Sequence, residues 1–105
     1  METIKNVELV KKANIYFDGN VTSRGFIDAN GESKSLGIMM PGEYNFGTNE
    51  PELMEIIEGV VEVKLAGEDT WNTYTADTSF NVASNSSFDI KVKTITDYCC
   101  SYIKK

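Results

Sequence analysis

The stretch that decides the fold runs from Pro41 to Val63 and reads PGEYNFGTNEPELMEIIEGVVEV. It predicts a strand that begins at Gly42, a turn rich in carboxylates, a second strand, a turn at Gly59 and a third strand. Because side chains alternate along a strand, each strand presents one set of residues to one face. The sets that share a face are Tyr44, Phe46 and Thr48 in the first strand, and Glu52, Met54 and Ile56 in the second.

Carboxylates collect at the turn between these two strands. Glu50 and Glu52 flank Pro51, and Glu43 lies at the start of the first strand. If the register holds, Glu52 points into a small β-barrel, where an unpaired charge is costly and often functional. Solvated charges on a strand surface are the alternative. Bulky apolar side chains beside acidic ones, at the mouth of a barrel, are the most site-like feature of the sequence.

The rest of the chain continues the pattern of short strands separated by turn residues, with no clear helix. Residues 1–13 fit both helical and strand spacing, and a glycine inside a strand, Gly37, predicts a bend or bulge. About nine short strands at near-regular spacing are typical of an antiparallel sandwich or barrel. The further predicted strands are Asn14–Phe17, Val21–Ile27, Ser35–Met40, Val60–Leu65, Trp71–Thr75, Ser79–Val82, a segment that aligns Phe88, Ile90 and Val92, and Tyr98–Ile103.

Length and composition limit the possible classes of protein. A chain of 105 residues with 41% hydrophobic residues predicts one domain, residues 1–105, with a real core. No apolar run approaches a membrane span, and the first residues are too charged for a signal peptide, so we expect a cytoplasmic protein without a membrane partner. The net charge of −6, with lysines that form no stripe, argues against nucleic-acid binding.

The cysteines and the missing histidines bear on the chemistry. Cys99 and Cys100 are adjacent, so a disulfide between them would be strained, and alternation points them to opposite faces. We expect both to be reduced. The chain contains no histidine, which removes the commonest metal ligand and the commonest general base.

With these segments in place, the chain resembles a small cupin, an all-β jelly-roll barrel also described as a double-stranded β-helix. More narrowly it is similar to the family of pyrimidine/purine nucleoside phosphorylases, over residues 16–102, with residues 1–13 as an N-terminal extension. The block from Glu43 to Glu52 is the specific part of this match. The other matching residues are Tyr16, Phe17, Gly19, Val21, Gly25, Phe26, Ser35, Gly37, Met39, Gly42, Met54, Gly59, Val63, Trp71, Tyr74, Ser79, Phe80 and Phe88.

The resemblance implies a broad-specificity enzyme that cleaves purine and pyrimidine nucleosides with orthophosphate, releasing free base and ribose 1-phosphate. It implies nucleosides and phosphate as partners, no cofactor beyond orthophosphate as co-substrate, and a homodimer. The sequence departs from the cupin and family patterns at two places. The cupin metal-binding histidines would fall in residues 45–48, which hold no histidine, so we expect no metal. Residues 83–85 are Ala-Ser-Asn where the family pattern has Pro-Gly-His, and Asp89 stands at a further position that can carry histidine.

Phosphorolysis requires a group that grips the ribose, a surface for the base and donors for phosphate. Carboxylates suit the ribose and the cationic sugar of the transition state. Tyr44 and Phe46 are candidates for stacking on the base, although alternating aromatic residues also build ordinary cores. The full set of candidates is Glu52 and Glu50 as catalytic residues, and Tyr44, Phe46, Thr48, Asn81, Arg24 and Lys34 as substrate-binding residues, with exposed hairpin cations as the alternative for the last two.

Two other functions stay open from the residues alone. A non-catalytic cupin that binds or senses a small molecule is favoured by the missing histidines. A sugar isomerase or epimerase is a different enzyme class that the same fold can host.

Overall fold

The computed structural model describes residues 1–104 of the chain. It contains eleven strands, one 3₁₀ turn and, within those residues, no α-helix. The all-β prediction is confirmed, and the structure adds one strand within residues 1–13 to the predicted ones. The elements are β1 (Glu8–Leu9), β2 (Asn14–Tyr16), the 3₁₀ turn (Phe17–Gly19), β3 (Val21–Ile27), β4 (Ser33–Met39), β5 (Gly42–Gly47), β6 (Glu52–Glu58), β7 (Val60–Leu65), β8 (Asn72–Thr75), β9 (Thr78–Val82), β10 (Ser87–Val92) and β11 (Thr96–Tyr102).

The strands form two antiparallel sheets that face each other. The seven-stranded sheet has the order β1-β3-β4-β11-β6-β9, with β2 paired to β3, and the four-stranded sheet has the order β5-β10-β7-β8. Within residues 1–104, no helix is long and apolar enough to cross a membrane.

The central stretch crosses between the two sheets twice. β5 and β7 belong to the four-stranded sheet, whereas β6 belongs to the seven-stranded sheet. The second crossing uses Gly59, whose φ of 115° is accessible to few other residues. A Cβ there would lie 2.5 Å from the Thr96 hydroxyl oxygen and 2.8 Å from the Ile95 carbonyl oxygen, so the crossing needs a glycine.

The core lies between the sheets and is built from the inward-facing residues that strand alternation predicts. Met54 and Ile56 of β6 face Val61 and Val63 of β7, and all four are at most 4% exposed. Their burial supplies the main driving force for packing the two sheets together. The other members are Val21, Met39, Phe80, Val82, Phe88, Ile90, Val92, Tyr98 and Cys100.

The bend or bulge predicted at Gly37 is wrong. β4 continues through this residue, which pairs with Ser23 of β3 and Tyr98 of β11. The irregularity lies instead between Asp97 and Tyr98, where the pairing of β11 with β6 shifts register. Gly37 is needed because a Cβ there would lie 2.8 Å from the ring of Tyr98 and would also collide with the Thr22 carbonyl oxygen. The residue makes room for an aromatic side chain rather than bending the strand.

We expect Gly37→Ala to lower the free energy of unfolding by about 1–3 kcal/mol, because the Tyr98 ring and the β3 backbone must move to admit the methyl group. The measurement is urea denaturation. Gly25→Ala is the matched control, since a Cβ at Gly25 meets nothing closer than 3.8 Å. Equal effects of the two substitutions would contradict this steric explanation.

Candidate functional site

A cavity of about 510 Å³ opens between the two sheets. This volume is in the usual range for small-molecule sites. Its two walls differ in chemistry, because each sheet contributes its own inward-facing residues. The aromatic wall contains Phe17, Phe46 and Phe88, and the polar wall contains Ser23, Ser35, Glu52, Tyr98, Cys100 and Tyr102, with Tyr16, Met39, Asn45, Gly47 and Met54 completing the lining.

The aromatic wall is a connected cluster of rings. Phe46 packs on Phe88 with centroids 5.6 Å apart, and Phe17 meets Phe46 edge-on at 5.5 Å. Phe17 reaches this position from the turn after β2. There Phe17 and Asp18 adopt left-handed backbone conformations, with φ angles of 51° and 57°. Such angles are unfavourable for non-glycine residues and often accompany functional sites. The turn brings an aromatic ring to the cavity, against a strand that is remote in sequence.

The polar wall holds a carboxyl group and a thiol in contact. The pairing of β6 with β11 places Glu52 opposite Tyr102 and Met54 opposite Cys100. The Cys100 thiol donates a hydrogen bond to Glu52 Oε1 at 3.4 Å. Burial raises the pKa of Glu52, the thiol hydrogen bond opposes that rise, and the charge of Glu50 adds to it. Glu52 is the only carboxyl group among the cavity-lining residues of the described chain.

The hydroxyl groups of the polar wall are neutral donors. The Tyr102 and Ser35 hydroxyls share a hydrogen bond at 3.1 Å. Burial raises the pKa of Tyr102 to about 12, and it also raises the pKa values of Tyr98 and of the Cys100 thiol. These groups therefore keep their protons at neutral pH and can donate hydrogen bonds to a bound molecule.

The donor set does not fit the metal centre that many cupins carry. Phe46 directs its side chain into the cavity, whereas the Asn45 amide donates to Asp89 at 2.8 Å and the Thr48 hydroxyl donates to the Ala83 carbonyl. One carboxyl group and one thiol with a raised pKa leave a transition metal short of ligands. We assign no metal to the chemistry of this cavity.

Two of the predicted site residues, Glu52 and Phe46, line the cavity. Glu50 lies outside the cavity, exposed at the rim. Its negative charge nevertheless adds to the rise in the pKa of Glu52. Tyr44 packs behind the aromatic wall, with its ring 4.9 Å from Phe17 and its hydroxyl donating to the Met40 carbonyl at 2.7 Å. These four residues all belong to the central stretch, and the structure brings two of them into one site.

Thr48 has a different position. Its side chain is buried, its hydroxyl donates to the Ala83 carbonyl at 2.6 Å, and it accepts from the Ser86 N–H at 3.0 Å. It does not line the cavity. Both of its hydrogen bonds tie the turn after β5 to residues 83–86, so the contacts of Thr48 are those of a structural residue.

The other three predicted binding residues lie on the outer face of the seven-stranded sheet or bond outside the cavity. Asn81 is exposed and pairs with Leu53. The Arg24 Nε donates to the Lys11 carbonyl at 3.2 Å. The Lys34 ammonium forms an ion pair with Asp28 at 3.5 Å. Within residues 1–104, neither a lysine nor an arginine lines the main cavity.

Sequence reasoning missed most of the polar wall. Tyr98, Cys100 and Tyr102 alternate in β11, and this spacing was sufficient to place them on one face. Which of the two faces they occupy depends on how β11 pairs with β4 and β6. The Phe17 contribution depends on a backbone conformation for which the sequence offers only the Asp18-Gly19-Asn20 turn signal.

A sequence profile of the family described as pyrimidine/purine nucleoside phosphorylase matches residues 11–102. The chain belongs to this family. A relative of that name from Clostridioides difficile (strain 630) is 56% identical over 103 residues, covering 98% of each chain. Another from Sulfurimonas denitrificans is 57% identical over 104 residues, covering 99% of this chain and all of that protein. The family resemblance read from the sequence is confirmed.

Solved structures agree on the fold of this family member. A protein of unknown function, DUF1255, from Acinetobacter sp. ADP1 superposes with a TM-score of 0.93 at 35% identity, covering 96% of this chain and 98% of that one. The cupin domain of Schizosaccharomyces pombe Cnp3 superposes with a TM-score of 0.63 at 15% identity, covering 80% of this chain and 61% of that one. The predicted cupin fold is confirmed.

The raised pKa of Glu52 predicts a pH-dependent effect of Glu52→Gln on stability. Because the folded-state pKa lies above the ordinary 4.5, folding favours the protonated carboxyl group, and stability falls as the pH rises through the folded-state pKa. The Glu52→Gln variant has no carboxyl group at this position, so its stability does not fall with pH for this reason. We expect Glu52→Gln to raise the Tm by a few degrees at about pH 8, with a smaller difference at about pH 4.

The measurement is thermal unfolding by circular dichroism across this pH range. Glu55→Gln is the control, because Glu55 lies three residues further along β6, on the exposed outer face of the same strand. A Tm difference for Glu52→Gln that does not change with pH would contradict the assignment.

Proposed function

We propose that this protein is a broad-specificity nucleoside phosphorylase that uses orthophosphate to cleave purine and pyrimidine nucleosides into free base and ribose 1-phosphate. Membership of the pyrimidine/purine nucleoside phosphorylase family gives the reaction class. The observation that carries the proposal is the two-walled cavity, with one carboxyl group facing a cluster of aromatic rings. A flat apolar base and a polar sugar need two such surfaces.

In this proposal the Glu52 carboxylate binds the ribose. Its carboxylate oxygens accept hydrogen bonds from the sugar hydroxyls, and its charge favours the cationic character that develops at the anomeric carbon. The Cys100 thiol holds Oε1 in place, which leaves the other oxygen free for the substrate. Glu50 acts from the rim through its charge on Glu52.

The base lies against the aromatic wall. Phe46 and Phe17 offer ring surfaces that accept purines and pyrimidines alike, because stacking does not depend on the hydrogen-bonding pattern of the base. One phosphate oxygen bonds to the anomeric carbon as the carbon–nitrogen bond breaks. The electron pair leaves with the base, which takes a proton from water. The Tyr98 hydroxyl is the neutral donor available to stabilise the departing charge. The proposed reaction uses no metal and no cofactor.

We expect base release from uridine and adenosine only when orthophosphate is present, and a loss of about 100-fold or more in kcat/KM for Glu52→Gln, because the amide retains the shape but not the charge. Chromatographic separation of nucleoside from base measures the reaction. Glu55→Gln, on the exposed face of β6, is the matched control and should keep wild-type turnover.

Each other outcome points to a different function. Base release without phosphate would indicate hydrolysis. Nucleoside binding without turnover would support a binding or sensing cupin, and turnover unaffected by Glu52→Gln would remove this residue from the mechanism.

We further propose a cytoplasmic homodimer. The thiols of Cys99 and Cys100 are free, as is usual in a reducing compartment. The outer face of the seven-stranded sheet exposes Leu36 and Ile38 by 38% each and Ile57 by 42%. Exposed apolar side chains grouped on a sheet face favour association.

Light scattering should therefore give twice the chain mass of 11.7 kDa. Ile38→Glu should shift the protein towards monomer because it places a charge in the contact. Ile95→Glu, at an exposed apolar residue in the loop before β11, should leave the dimer intact. A wild-type monomer would rule out the homodimer.

A further inference from the structure

A second cavity, of about 390 Å³, adjoins the main one. Ser35 and Tyr102 line both cavities, so the two cavities share these two hydroxyl-bearing residues. The second cavity also contains Ser33, Glu50 and Lys104. The two cavities together offer two adjacent compartments with a shared polar boundary.

Lys104 reaches this place because the strand pairing extends past the end of β11. The Ile103 N–H donates to the Pro51 carbonyl at 2.8 Å, which continues the alignment of Tyr102 with Glu52 by one more step. Alternation then places Lys104 on the same side as Tyr102. Lys104 accordingly lines the second cavity beside Tyr102.

The other basic candidates point elsewhere. Lys34 also borders the second cavity, but it alternates with the inward-facing Ser35, and its ammonium group pairs with Asp28. Arg24 bonds to the Lys11 carbonyl. Among the described residues, Lys104 is therefore the cation whose position next to Ser35 and Tyr102 suits an anion that must reach the main cavity.

The two cavities differ in their charged side chains. Glu52 is the charged residue of the main cavity and repels a phosphate ion, whereas the second cavity adds the Lys104 ammonium group and two hydroxyls, the donors that phosphate requires, to the carboxylate of Glu50. The sugar and the phosphate must nevertheless meet, and the shared Ser35–Tyr102 pair, with oxygens 3.1 Å apart, marks the boundary where they can.

We propose that the second cavity is an orthophosphate subsite, in which Lys104 and the Ser35 and Tyr102 hydroxyls hold the ion next to the sugar-binding cavity. This inference rests on the proposed phosphorolysis for its purpose, but phosphate binding can be tested without turnover. Glu50, which also lines the second cavity, opposes binding through its negative charge.

The binding test is an NMR titration of ¹⁵N-labelled protein with sodium phosphate against sodium chloride at equal ionic strength. We expect phosphate-specific shifts at the amides of Ser35, Tyr102 and Lys104. Lys104→Gln should weaken the binding about ten-fold, whereas Lys64→Gln, at a lysine of β7 that lines neither cavity, should leave it unchanged. An absence of phosphate-specific shifts in the wild-type protein would overturn the proposal, as would shifts that persist at the same concentration in Lys104→Gln.

Glu50→Gln gives a test of opposite sign. Removing its charge should strengthen phosphate binding in the same titration. Weaker phosphate binding in this variant would contradict an electrostatic subsite at this position.

Kinetics separate this inference from the proposed function. If phosphate-dependent cleavage occurs, Lys104→Gln should raise the KM for phosphate about ten-fold and leave the KM for the nucleoside unchanged. Cleavage with an unchanged phosphate KM would reject the subsite and keep the phosphorylase. Phosphate binding that depends on Lys104, in a protein that does not cleave nucleosides, would reject the phosphorylase and keep the subsite.

Discussion

The pairing of β6 with β11 is the constraint on which the site depends. It aligns Glu52 with Tyr102 and Met54 with Cys100, so that a carboxyl group, a thiol and a phenol face the same interior space. A shift of one residue in either strand would turn that strand's side chains to the outer face. The buried Met54 and Ile56 fix the register of β6, since a slip would expose both. Core packing therefore also fixes the positions of the polar side chains on the same face of these strands.

The two sheets contribute different kinds of side chain to the cavity. The seven-stranded sheet supplies polar side chains to the cavity, and the four-stranded sheet supplies Phe46 and Phe88. The separation has a physical reason. Polar side chains in one wall can satisfy one another, as Ser35 does with Tyr102 and Cys100 does with Glu52. The opposite wall can then remain apolar without leaving a buried donor unpaired.

The environment of the polar wall favours the protonated, neutral forms of its ionisable groups. Burial raises the pKa of Glu52, of Cys100 and of both tyrosines in the polar wall, so the environment opposes negative charge throughout. Glu52 is the group that can still ionise near neutral pH, because a carboxyl group starts from an ordinary pKa of 4.5, far below the ordinary pKa values of the thiol and the phenols. A cavity that opposes other negative charges but contains one carboxyl group suits a substrate that becomes cationic in the transition state.

The sequence by itself determined most of the strands and the sets of side chains that share a face, such as Glu52 with Met54 and Ile56, because alternation with a period of two is a local property of the chain. It also determined the family, through the block from Glu43 to Glu52. Only the tertiary structure decided which side chains meet across strands: Cys100 with Glu52, Tyr102 with Ser35, and Phe17 with Phe46. It also decided that Arg24, Lys34 and Asn81 lie away from the cavity, because the assignment of a face to each strand depends on its pairing partners.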